Sequence, residues 1–214
     1  MLGFIYKDFL VMRKQLLYIL FLMCLYTVLA VLGIFSPSIL AGIVVILGAI
    51  YSVNAFSYDE QARWNKFAAA TPAGRRGVVA GRYLFTLLLL VVTAVFVCVV
   101  LALLWLLRLT EESPVELLLP VPVCLGIGLL MNTIMLPLIY KFGVEKARYL
   151  SMVVFIAVFG ACVGLGFLTS GSGLLADISD RTFMIVYLCF LLAAAILFWI
   201  SYQISLHIFS RKEL

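Results

Sequence analysis

Charge is scarce in this chain, and it is missing altogether over long stretches. Its 214 residues include 15 Lys and Arg, 10 Asp and Glu and 1 His, against 66% hydrophobic residues and a mean hydropathy of +1.23. So much apolar surface exceeds what one soluble core can bury, and it marks an integral membrane protein. Ten-residue segments of alternating polarity are absent, which excludes a barrel and leaves helices as the spanning elements. A Gly-x-x-x-x-Gly-Lys-Ser/Thr loop is missing, so this chain does not bind ATP in the P-loop manner, and no His-Glu-x-x-His pair exists to hold a catalytic zinc. None of the ten carboxylates falls mid-span, where an intramembrane enzyme or ion-coupled carrier needs them. The residues therefore offer no catalytic group, no metal ligand and no cofactor site on this chain.

Cys24, Cys98, Cys124, Cys162 and Cys189 fall one to a hydrophobic run without Cys-x-x-Cys spacing, and they read as small apolar filling. His207, at the inner end of the last run, reads as an interfacial anchor. The net charge of +5 needs no nucleic acid to explain it, because membrane proteins collect Lys and Arg on their cytoplasmic side.

What is present is an all-α pattern of six apolar runs, near 16–35, 39–56, 79–107, 117–140, 149–168 and 182–206, forming one transmembrane domain over 1–214. Residues 1–14 place Leu2, Ile5, Tyr6, Phe9 and Met12 on one helical face, as an interfacial helix does. Pro120, Pro122, Gly126, Gly128 and Pro137 predict a broken or bent fourth span. Ala157, Gly160, Ala161 and Gly164 predict close helix packing in the fifth. With both termini inside, all but Arg108 and Arg181 of the 15 basic residues lie in the cytoplasm, which supports the six-span count. Asn54, Asn132 and Thr133, with Thr27, Thr86 and Thr93, are the main mid-span polar groups; they read as hydrogen bonds between helices or as contacts along a substrate path.

The longest polar interruption is the cytoplasmic loop 58–76. Ser57 and Glu60 have capping-box spacing, a helix from about 58 to 70 follows, and Thr71-Pro72-Ala73-Gly74 stops it; alternatively Ser57 ends the second span. Trp64, Phe67 and Ala68 share one face beside Arg63 and Lys66. Such a helix suits either a partner's groove or a bed of lipid headgroups.

The run Phe56-Ser57-Tyr58-Asp59-Glu60 with Trp64, then Thr71-Pro72, Arg75-Arg76 and Gly81-Arg82-Tyr83, resembles the first cytoplasmic loop of small ATP-binding-cassette exporter permeases of the type-two superfamily. Lys7-Asp8-Phe9, the segment Pro137 to Arg148 and the ending Ser205 to Glu213 extend the resemblance over nearly the whole chain. Within that superfamily it is most similar to permeases exporting phenol-soluble-modulin-type amphipathic peptides, with bacitracin- and lantibiotic-type exporters close by. The resemblance implies a bacterial plasma-membrane half-transporter that pairs with a second copy or a homologous permease. It implies an elbow helix at 1–14 and a coupling helix at 59–70, and a separate cytoplasmic ATPase carrying ATP and Mg. Asp59, Glu60, Arg63, Trp64, Phe67, Lys141, Glu145 and Arg148 would then form the ATPase contact, and the permease itself would catalyse nothing. A membrane anchor or sensor for peptide-antibiotic signalling or immunity is the alternative reading.

Overall fold

The computed structural model describes residues 2–34, 36, 40–42, 54–62, 64, 67, 74–110, 113–154, 156 and 180–211. Most of the expected second span, Arg63, the Thr71-Pro72 stop, the Ala157–Gly164 stripe and the fifth span beyond 156 lie outside the described residues.

The described chain is helical. The first helix, α1 (Leu2–Val31), turns by 52° between Tyr6–Gln15 and Leu17–Val31, where the sequence divides an interfacial limb from a spanning one. It ends on Gly33 at φ +72, whose N–H reaches the Ala30 carbonyl at 3.0 Å while Ile34 N–H reaches that of Leu29 at 3.1 Å. This left-handed closure satisfies carbonyls that the helix end would otherwise leave bare. Helix α2 covers residues 54–61, and α3 (Gly74–Leu106) follows. At 33 residues, α3 is about 50 Å long against a hydrocarbon core of about 30 Å, so it either projects beyond the bilayer or tilts strongly within it. It closes by the same two-bond pattern as α1, with Arg108 at φ 54 in the glycine position.

Next come α4 (Pro114–Leu118), α5 (Pro120–Phe142), α6 over residues 144–154, and α7 (Asp180–Arg211). The capping box belongs to α4. Ser113 Oγ accepts the Glu116 N–H at 3.3 Å and the Glu116 carboxylate accepts the Ser113 N–H at 3.2 Å. Ser57 instead lies inside α2, so the box expected at Ser57–Glu60 does not form. The fourth span breaks at Leu119 alone, near one end, with Pro120 and Pro122 in the first turn of α5, where a missing N–H costs no helix bond.

Pro137 does remove a bond, because the Thr133 carbonyl four residues earlier finds no N–H. Ser201 Oγ of α7 donates to that carbonyl at 2.7 Å. Since a carbonyl only accepts, the rest of the chain of hydroxyls has one direction. Tyr83 donates to Ser201 at 2.8 Å, and Ser205 donates to Tyr83 at 2.7 Å. Helix α5 packs most extensively on α7, and α3 touches α1, α5 and α7. The buried Gly126 admits the Phe190 ring so closely that a Cβ there would lie 2.4 Å from it.

Among the described residues, three helices are long and apolar enough to cross a membrane, Gly74–Leu106, Glu116–Phe142 and Leu188–Arg211, and α1 makes a fourth if its two limbs are one span. Large apolar side chains lie exposed along them, among them Phe21, Val92, Leu192 and Trp199, as a lipid-facing surface requires.

Candidate functional site

One end of the bundle gathers the start of α1, all of α2, the start of α3, the α5–α6 junction and the end of α7. Apolar packing holds them: Phe56, Val79, Tyr83, Ile139, Tyr140, Val144 and Phe209 share one buried cluster. Phe56 meets Tyr140 edge-on at 5.1 Å between ring centroids, and Tyr140 meets Phe209 at 5.3 Å. Arg75, in the first turn of α3, donates to the Ser210 carbonyl, placing a cation at the C-terminal end of α7.

Within this end sits a charge quartet. Asp8, Asp59 and Arg82 are 4%, 7% and 5% exposed, so each charge needs a partner. Arg82 pairs through Nη2 with Asp59, and its Nη1 lies 2.9 Å from Asp8 Oδ2, close enough for an ion pair but without hydrogen-bond alignment. Lys7 Nζ lies 3.0 Å from Asp8 Oδ1 and 2.5 Å from Asp59 Oδ1. The Arg82 guanidinium also lies 4.6 Å from the Phe56 ring centroid. Two cations thus balance two carboxylates across α1, α2 and α3. Burial is the largest influence on Asp8 and raises its carboxyl above the ordinary range, while Arg82 and then Lys7 draw it back.

Successive helical side chains diverge by about 100°, so Asp59 and Glu60 leave α2 on different sides. Asp59 enters the quartet. Glu60 reaches the start of α6, where its Oε2 accepts the Val144 N–H at 3.0 Å. The first N–H groups of a helix lack internal partners and carry partial positive charge, which a carboxylate answers. Gly143 makes room: its φ is +82, and a Cβ there would stand 3.0 Å from Glu60 Oε1. Between Ser57, Glu60 and Gln61 on one side and Glu145, Lys146 and Arg148 on the other lies a groove of about 580 Å³.

The expected contact residues therefore divide. Glu145 and Arg148 are exposed along the groove and Lys141 is exposed beside it, its ammonium 5.1 Å from the Phe142 ring centroid. Phe67 is 69% exposed, whereas Trp64 is half-buried under the Lys7 ammonium, 4.9 Å from its ring centroid. Asp59 and Glu60 are engaged within the chain.

Of the path residues, Asn54 is half-buried at the start of α2, and Asn132 is buried with its amide donating to the Gly128 carbonyl at 2.8 Å. Thr133 donates to the Leu129 carbonyl at 2.8 Å, and Thr27, Thr86 and Thr93 likewise donate to carbonyls in their own helices. Tyr83, Ser201 and Ser205 also form bonds between helices, which the sequence pattern does not announce. Nor does it announce the pairing of Asp8 with Arg82. A signal existed: Asp8 is the only carboxylate before Asp59.

A protein-family model described as ABC-2 family transporter protein matches residues 3–210. Searches among curated proteins and among solved structures find no match. With that match running through every described helix, the chain belongs to the ABC-2 family transporter proteins, as a membrane permease of an ABC transporter.

Proposed function

We propose that this permease is the membrane subunit of an exporter whose substrate is an amphipathic peptide, an antimicrobial or a lipid-like molecule. A separate cytoplasmic ATPase drives it, and a second copy or a homologous permease completes the path. The observation that carries the ATPase half is the groove between α2 and α6, rimmed by Glu145, Lys146 and Arg148, with the exposed Phe67 farther along the same loop. A charged groove together with a separate exposed aromatic side chain suits a protein partner. The basic residues of this end support the reading that it is the cytoplasmic side, where ATP is available, and that both termini lie there. Of the ATPase-contact residues, Phe67, Lys141, Glu145 and Arg148 meet the partner directly, Arg63 and Trp64 flank them, and Asp59 and Glu60 act from within. The bent N-terminal limb serves as the elbow helix in the membrane interface. Peptides of the phenol-soluble-modulin type are the first substrates to try, because apolar spans with few polar groups favour cargo that enters from the bilayer.

Co-expression with a candidate cassette ATPase tests the reading. The two are expected to co-purify, and reconstituted permease is expected to change the ATPase's turnover. Trp64→Ala with Phe67→Ala is expected to weaken association by about tenfold or more, as loss of aromatic anchors does, while membrane insertion is kept. No association and no effect on turnover with any candidate ATPase would sink it.

A further inference from the structure

We infer that Glu60 is a positioning residue that joins the two cytoplasmic segments of the permease, so that the start of α6 follows α2, which Asp59 ties to α1 and α3. Three observations converge. Glu60 Oε2 accepts the Val144 N–H from 84 residues away in sequence, adding a directed polar tie to the packing of Phe56 on Tyr140 and Val144. Gly143, at φ +82 and with no Cβ to crowd Glu60 Oε1, is shaped for that approach. The preceding residue, Asp59, anchors the same turn of α2 to Arg82 and Lys7. A displacement applied anywhere on α2 is thereby divided between two directions, toward α1 and α3 through Asp59 and toward α5 and α6 through Glu60. The mechanical claim stands on the permease alone; its use in energy coupling rests on the proposed function.

The test places spin labels at Gln61→Cys and Tyr149→Cys, both exposed positions, after replacing the five native cysteines. The unmodified yoke is expected to give one narrow distance distribution in the permease without any partner. Glu60→Ala is expected to broaden it toward longer distances, because losing a charge-assisted bond lowers the docked-to-undocked ratio by roughly ten- to a hundredfold. Glu60→Gln, which keeps an acceptor oxygen, is expected to restore the narrow distribution in large part.

Val144→Pro removes the donor itself at a helix start that tolerates proline, and it is expected to broaden the distribution as Glu60→Ala does, covering the case in which one variant fails to fold. An unchanged distribution in whichever of the two folds overturns the inference. In vesicles holding the ATPase, Glu60→Ala is expected to lower transport per ATP hydrolysed about tenfold, a ratio that a smaller share of folded or ATPase-bound permease does not by itself change. Unchanged transport per ATP overturns the coupling role alone. Failure of the unsubstituted permease to engage any ATPase overturns the proposed function, and the distance measurement still decides the yoke.

Discussion

The Thr133 carbonyl shows how one residue sets requirements on another helix. Pro137 deprives it of its helical donor, Ser201 supplies one at 2.7 Å, and Tyr83 is drawn into line behind Ser201. Ser201→Ala is therefore expected to cost about 1–3 kcal/mol, because it strands a buried carbonyl and leaves Tyr83 short of an acceptor. Pro137→Ala restores an N–H where the carbonyl needs it. The double variant is thus expected to melt above Ser201→Ala in detergent; a Pro137→Ala effect of equal size in both backgrounds would refute the link. The sequence displayed both residues without displaying the relation. A threonine hydroxyl always has the carbonyl of residue i−4 within reach, which is why Thr27, Thr86, Thr93 and Thr133 turn into their own helices. A bond between helices depends on which faces meet, and periodicity alone does not state that.

Among elements, two of the apolar runs overlap described helices closely, and end chemistry was less legible. The runs near 79–107 and 117–140 correspond to Gly74–Leu106 and Glu116–Phe142. The capping box was legible in kind and misplaced in position, since Ser57–Glu60 and Ser113–Glu116 share one spacing. Proline at the first helical position separates them: Pro114 starts a helix, whereas Tyr58 continues one already under way. Glycines in the fourth span read as points of weakness, but Gly126 is a socket for Phe190. Gly126→Ala is expected to loosen the α5–α7 packing and to destabilise the protein by about 1–3 kcal/mol, with Phe190→Leu recovering part of the loss. Thermal unfolding of the two single variants and the double variant checks this, and a purely additive double variant would count against the socket.

For the whole molecule, the charge quartet makes the assembly of one end all-or-none. Arg82→Leu would leave Asp8 and Asp59 buried together with Lys7 as the one cation paired with them among the described residues, at a cost of about 3–5 kcal/mol. Neutralising both carboxylates in the same protein, with Asp8→Asn and Asp59→Asn, is expected to return most of that stability, as read from the fraction remaining monodisperse after heating. If the triple variant is no better than Arg82→Leu, the quartet is not the source of the loss. Scarcity of charge identified the membrane body at once. The few charges that matter most looked like ordinary loop residues, because their partners lie two helices away.

The quartet also imposes an order in time. Lys7 and Asp8 leave the ribosome before their partners, and Arg82 follows 74 residues after Asp8, roughly 4–15 seconds later at ordinary rates of synthesis. Until then the first limb of α1 holds a carboxylate with only its neighbouring lysine to answer it, and it has reason to stay at the wet surface of the bilayer. Its seating against α3 is therefore a late event in the life of the nascent chain, although its residues are made well before those they pair with.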